Sequence, residues 1–183
     1  KTKNLIIGDE VIERGTRKRL DLFVGRTYDF LEMRIPVEVV AGKEEGPVLF
    51  LSAAVHGDEI NGTEIIRKVL RSKELKNIKG TLIGVPIVNV FGFNNCSRFF
   101  PDGRDLNRSF PGSNKGSLAS RVAHLFMKEI VKKCTHGIDL HTGGAQRQNL
   151  PQIRACLDDP ETKKLARAFG APVMLDSVVR DGS

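Results

Sequence analysis

The sequence predicts an α/β fold, with a mixed, largely parallel sheet flanked by helices. Two apolar runs and the periodicity between them carry that expectation. Val48-Leu-Phe-Leu-Ser-Ala-Ala-Val55 is almost continuously apolar, as suits a strand covered on both faces. Thr81 to Val88 repeats the pattern after Gly80. Segments of helical periodicity lie between and after these runs, and strands that alternate with helices imply a largely parallel core.

Taken in order, residues 1–34 are charged and weakly patterned, and Arg34-Ile-Pro-Val-Glu-Val-Val40 reads as a strand. Turn-rich Gly42 to Pro47 closes it. A helix fits from about Glu59 to Arg71, with Ile65, Ile66, Val69 and Leu70 on its apolar side. A loop rich in Gly, Asn and Pro spans Asn89 to Gly116. Ser117 is placed to cap a helix running to about Lys133, with Leu118, Val122, Phe126 and Ile130 on one side. Gly137 to Leu140 and Gln152 to Leu157 read as strands, Pro160 to Phe169 as a helix, and Val173 to Leu175 as a further strand.

Composition narrows the function. The 183 residues are 40% apolar and 28% charged, the profile of an ordinary globular chain. No apolar run approaches the roughly 18 residues that a membrane helix needs, and Lys1 to Ile12 lacks the pattern of a signal peptide. Cys96, Cys134 and Cys156 have no paired spacing, so free thiols and a cytoplasmic location are expected. The net charge of +7 comes from scattered Lys and Arg. With one tyrosine, no tryptophan and no nucleic-acid motif, it reads as solvated basic surface.

Three predicted strands finish in polar residues: His56 after Val55, Asn89 after Val88, and His141 after Leu140. Open α/β sheets bind their ligands beyond these carboxyl ends, which suggests one shared site. A catalytic zinc takes three His or carboxylate ligands and keeps a fourth position for water. In His56-Gly57-Asp58-Glu59, a carboxylate follows a strand-end histidine by three residues, with Gly57 available for the bend. His141 is the third candidate. Of the adjacent pair, Glu59 has better spacing than Asp58. Strand-end histidines are commonly ordinary hydrogen-bonded residues, so spacing alone leaves both readings open. His136 and His124 are expected not to be ligands. His136, five residues from His141 along a strand, faces the opposite side, and His124 shares its helical side with Arg121 and Lys128, away from Val122 and Phe126.

Taken together, His56-Gly-Asp-Glu59, Arg104-Asp-Leu-Asn-Arg108-Ser-Phe-Pro-Gly112 and Asp139-Leu-His141-Thr142 resemble, in order, the motifs of the aspartoacylase/succinylglutamate desuccinylase family. That family is related to the zinc carboxypeptidases, so the resemblance implies their fold. It implies one zinc per chain, held by His56, Glu59 and His141. It makes Asp105 the carboxylate that orients the first ligand histidine. It assigns Asn107 and Arg108 to a substrate carboxylate, which an arginine fork binds through two parallel hydrogen bonds. Arg98 resembles the arginine that polarises the scissile carbonyl, while Arg104 reads as structural.

The expected organisation is an N-terminal extension with β-rich content over residues 1–34 and a zinc hydrolase catalytic domain over residues 35–183. The expected activity is a zinc-dependent amidohydrolase, or deacylase, acting on a small carboxylate-bearing amide such as an N-acyl amino acid. A carboxypeptidase and a non-catalytic zinc-binding relative are the alternatives. No nucleic-acid or membrane partner is expected, and a homo-oligomer is left open. The family's general-base glutamate lies C-terminal to every motif matched. Glu64 and Glu129 have no motif to recommend them, so the general base is unassigned and a truncated chain is expected over a degenerate one.

Overall fold

A computed structural model describes residues 4–145 and 147–178. A short hairpin, β1 (Leu5–Ile7) and β2 (Glu10–Ile12), precedes two long strands, β3 (Arg17–Arg26) and β4 (Glu32–Ala41). Then follow β5 (Val48–Ala53), α1 (Asn61–Leu70), β6 (Thr81–Val85), a short α2 (Val90–Asn94), α3 (Leu118–Glu129) and β7 (His136–Leu140). The last elements are β8 (Gln152–Ala155), α4 (Pro160–Phe169) and β9 (Val173–Asp176).

The main sheet has the order β3-β4-β6-β5-β7. Its β6, β5 and β7 are parallel, whereas β3, β4 and β6 pair antiparallel. The sheet is therefore mixed, and its parallel part lies where the candidate site residues emerge. The expected boundary at residue 34 falls inside β4 and needs correction. β3 pairs with β4 along nearly its whole length, and Ile7 and Ile12 of the preceding hairpin join the main core. The alternation of Leu20, Leu22 and Val24 against Arg19, Asp21 and Phe23 was the sequence signal for β3.

Period-two burial on the sheet sends side chains to two cores. Ile35, Val37 and Val39 of β4 and Ile83 and Val85 of β6 meet Val122, Ala123 and Phe126 of α3 on one face. Val40, Leu51, Ala53 and Leu82 meet Ile66 and Leu70 of α1 on the other. The sheet is thus covered on both sides, which accounts for the continuous apolar run in β5.

Several bounds differ from the sequence reading for local reasons. β5 stops at Ala53 because Ala54 takes a left-handed φ of 50°. α1 begins two residues after Glu59, whose amide closes a turn onto the His56 carbonyl at 3.1 Å. α3 is capped by Ser117, whose hydroxyl accepts from the Ser120 amide, and ends at Glu129 before a short 3-10 turn over Val131–Lys133. Inside the loop expected from Asn89 to Gly116 sit α2 and a 3-10 turn at Leu106–Arg108. α4 has the expected bounds, with Asp159 as its cap and left-handed Gly170 at its end. Among the described residues no helix is long and apolar enough to cross a membrane.

Candidate metal centre

His56 and His141 follow the carboxyl ends of the adjacent parallel strands β5 and β7. The chain leaving β5 is turned at Ala54 and held by amides of Val88 and Asn89 on the carbonyls of Ala53 and Ala54. Gly57 does not supply the left-handed bend. It permits close approach instead: a Cβ there would lie 2.0 Å from the Gly92 carbonyl carbon of α2.

This path buries His56 and Glu59, each 3% exposed. The Glu59 carboxylate lies between the two imidazoles, with Oε1 2.7 Å from His56 Nδ1 and Oε2 2.8 Å from His141 Nδ1. Oε2 also accepts the Thr142 amide at 2.9 Å. Asp58 turns elsewhere and accepts the Ala145 amide at 3.0 Å.

Both outward ring nitrogens are held by carboxylates. His56 Nε2 is 3.1 Å from Asp105 Oδ1, and His141 Nε2 is 2.7 Å from Asp139 Oδ2. A proton held at Nε2 by its carboxylate would leave the inward Nδ1 lone pair to a bound cation, in place of the proton that Nδ1 shares with Glu59 here. Asp105 is itself fixed by the Asn107 amide at 2.8 Å and by Arg98 Nη2 at 3.0 Å. Arg98 Nη1 reaches Glu59 Oε1 at 3.4 Å and lies 3.3 Å from His56 Nδ1.

The electrostatics follow from this crowding. Burial works against the Glu59 charge, but hydrogen bonds from His141, His56 and the Thr142 amide outweigh it and hold the carboxyl far below its usual range. Burial likewise opposes a charged His141, yet Asp139 and Glu59 outweigh it and push the imidazole up to about 10. Desolvation raises Asp105, and the opposing pull of His56, the Asn107 amide and Arg98 brings it below the ordinary carboxylate value. The site is an anionic pocket that stabilises positive charge at its centre.

That set fits a metal. One ligand atom from each of His56, Glu59 and His141 lies within 4.8 Å of the other two, and two imidazole nitrogens with one carboxylate oxygen make a typical catalytic zinc donor set. Holding zinc would fall to the two Nδ1 atoms and the Glu59 carboxylate.

The other sequence candidates occupy different places. Arg98 and Asp105 touch the centre directly. Asn107 and Arg108 lie in the 3-10 turn that Asp105 caps, and exposed Arg108 donates from Nη1 to the Asn107 carbonyl at 2.7 Å. Among the described residues neither side chain hydrogen bonds to the three candidate ligands. Arg104 is exposed and pairs with Asp102 at 3.3 Å. His136 sits against Thr135, and His124 lines a surface cavity with Arg121 and Lys128. Glu64 pairs with Arg67 on the surface, and buried Glu129 binds Lys133 and the Gly8 amide.

Asn89 does not enter the centre. It is fully buried, accepts the Gly92 amide through Oδ1, and lies 3.4 Å from the Arg98 carbonyl through Nδ2, so it braces the segment carrying Arg98. Two contributors escaped the sequence reading, Asp139 and its partner Ser52. The available signal was the two-residue spacing of Asp139 and His141, which puts both on one side of an extended strand.

The fold and this site together define an α/β protein with a candidate single-metal centre at the ends of parallel strands. The chain matches the model of the succinylglutamate desuccinylase/aspartoacylase catalytic domain over residues 45–181 and belongs to that family. It is 36% identical over 144 residues to the N-alpha-acetyl-L-2,4-diaminobutyric acid deacetylase of Halomonas elongata, covering 75% of this chain and 42% of that protein. It is similar in structure to a succinylglutamate desuccinylase/aspartoacylase from Rhodobacter sphaeroides, with a TM-score of 0.82 and 29% identity over 94% of this chain and 55% of the other. A metallo-carboxypeptidase from Burkholderia cenocepacia shares the fold, with a TM-score of 0.66 and 14% identity over 90% of this chain and 50% of the other. The chain thus spans about half the length of these relatives.

Proposed function

We propose that the chain carries the zinc centre of a deacylase that hydrolyses the amide bond of an N-acyl amino acid or a similar small amide. The observation that carries the reading is the convergence of His56, Glu59 and His141, with Arg98 and Asp105 packed against them. Membership of the family and similarity to a deacetylase of an N-acetylated amino acid supply the reaction class.

When bound, zinc supplies a Lewis acid that polarises the amide carbonyl and lowers the pKa of a water towards about 7. The protein's part begins with a donor set already oriented, since Asp105 and Asp139 fix the imidazoles from behind. Arg98 lies beside the ligand cluster and is assigned to the carbonyl oxygen as negative charge develops there. Asn107 and Arg108 are assigned to the substrate carboxylate. Their turn starts at Asp105, so the clamp and the metal site share one anchor. Proton transfer needs a further group. Among the described carboxylates near the centre, Glu59, Asp105 and Asp139 each hold an imidazole and Asp58 holds the Ala145 amide.

The test is to purify the natural full-length protein, measure bound metal by mass spectrometry, and assay release of the acyl group from N-acyl amino acids alongside peptides. About one zinc per chain and hydrolysis of N-acyl amino acids in preference to peptides are expected. A protein that takes up no zinc and stays inactive with added zinc overturns the reading.

A further inference from the structure

We infer that Ser52 is a positioning residue for the metal centre, acting on His141 through Asp139; this rests on the zinc reading proposed above. Ser52 stands alone as the hydroxyl in the apolar run of β5. It is 1% exposed, and a buried hydroxyl is costly unless it is hydrogen-bonded. Its partner is specific. The parallel register of β5 and β7 sets Ser52 opposite Asp139, and Ser52 Oγ donates to Asp139 Oδ1 at 2.7 Å.

Asp139 Oδ2 then faces His141 Nε2 at 2.7 Å, and His141 Nδ1 faces Glu59 Oε2 at 2.8 Å. The chain of contacts therefore runs from a buried strand residue to the candidate ligand atom. The rotation that sets the plane of an aspartate carboxylate is soft, with broad energy wells. The Asp139 side chain is 34% exposed, so its surroundings leave that rotation open. By pinning Oδ1, Ser52 presents Oδ2 to the imidazole and so fixes ring plane and tautomer. The other ligand histidine has an equivalent arrangement: its carboxylate, Asp105, is held by the Asn107 amide and Arg98. Each ligand imidazole is thus backed by a carboxylate that a separate donor fixes in turn.

The experiment measures the zinc dissociation constant of the full-length protein by competition with a chromogenic chelator, and the visible absorption of the cobalt-loaded form. The variants are Ser52→Ala, Asp139→Ala and the pair together. Ser52→Ala is expected to weaken zinc about tenfold, at the lower end of what outer partners of metal ligands contribute, and to alter the cobalt bands. The double variant is expected to bind zinc as Asp139→Ala does, because Ser52 acts only through Asp139. Should Ser52→Ala lose its fold, Ser52→Cys keeps a similar volume with a weak donor and carries the same expectation. Unchanged zinc affinity in the single variant, or equal weakening with and without Asp139, overturns the inference and leaves Ser52 a packing residue. A wild-type protein that binds no zinc overturns the metal reading itself, a result distinct from both.

Discussion

Asp105 Oδ1 lies 3.1 Å from His56 Nε2 although the two residues are 49 positions apart in sequence. The same carboxylate accepts the Asn107 amide and Arg98, so it ties the candidate ligand His56 to the Leu106–Arg108 turn. On the zinc reading proposed above, Asp105→Ala removes the group that orients His56 within the candidate metal centre. Zinc affinity is expected to fall by about 10- to 100-fold, and Asp105→Asn, which keeps an acceptor, is expected to lose less. Chelator competition measures both. Equal affinity in wild type and Asp105→Ala would show that His56 is oriented without it.

Arg98 offers a second separation of roles. Its Nε and Nη2 face Asp105 at 3.3 and 3.0 Å, while Nη1 faces Glu59. If it stabilises developing oxyanion charge, Arg98→Ala lowers kcat by about 100-fold or more and changes KM far less. Arg98→Lys restores a charge but not the planar fork, so only part of the rate returns. A variant that raises KM alone would move Arg98 from chemistry to substrate binding.

Glu129 gives a pH dependence away from the centre. Burial raises its carboxyl, but Lys133, the Gly8 amide and Lys128 outweigh burial and hold it below the usual glutamate value. A depressed folded-state value contributes stability that is complete above the unfolded value of about 4.5 and is lost as pH falls through the folded one. Glu129→Gln should cost about 1–3 kcal/mol at pH 7, with the difference from wild type shrinking as the pH drops below about 4.5. Urea unfolding across that range measures it, and a pH-independent difference would contradict the assignment.

The legible parts of the molecule were those written in local pattern. Apolar runs marked β5 and β6, Ser117 marked the start of α3, and the stretch Pro160 to Phe169 was read as the helix that α4 is. The candidate ligands His56, Glu59 and His141 were named from strand-end placement and motif order, and the fold brings all three together. What escaped depended on non-local pairing. β3 carries a local signal in Leu20, Leu22 and Val24, but charged neighbours mask it, and the long pairing with β4 that gives the strand its place is non-local. Asn89 looked like a site residue at a strand end, but a buried amide there found partners in α2 and beneath Arg98. The Ser52–Asp139 contact needs the β5–β7 register, which no spacing within either strand contains.

The closeness of α1 to those two strands gives the last prediction. A Cβ added at Gly62 would lie 2.7 Å from Ala53 Cβ on β5 and 2.9 Å from Leu140 Cβ on β7. In an open helix, replacing glycine by alanine gains about 1 kcal/mol through reduced backbone entropy. Here the added methyl meets two side chains rooted in sheet backbone, and overpacking of that kind costs about 1–3 kcal/mol. The packing cost should win, so Gly62→Ala is expected to lower the urea midpoint, with a net loss of about 1–2 kcal/mol. Because Ala53 and Leu140 end the strands that lead to His56 and His141, the strain is delivered to the candidate metal centre. Zinc affinity should therefore fall along with stability. A stabilised Gly62→Ala would mean that α1 stands further from the sheet than these contacts require.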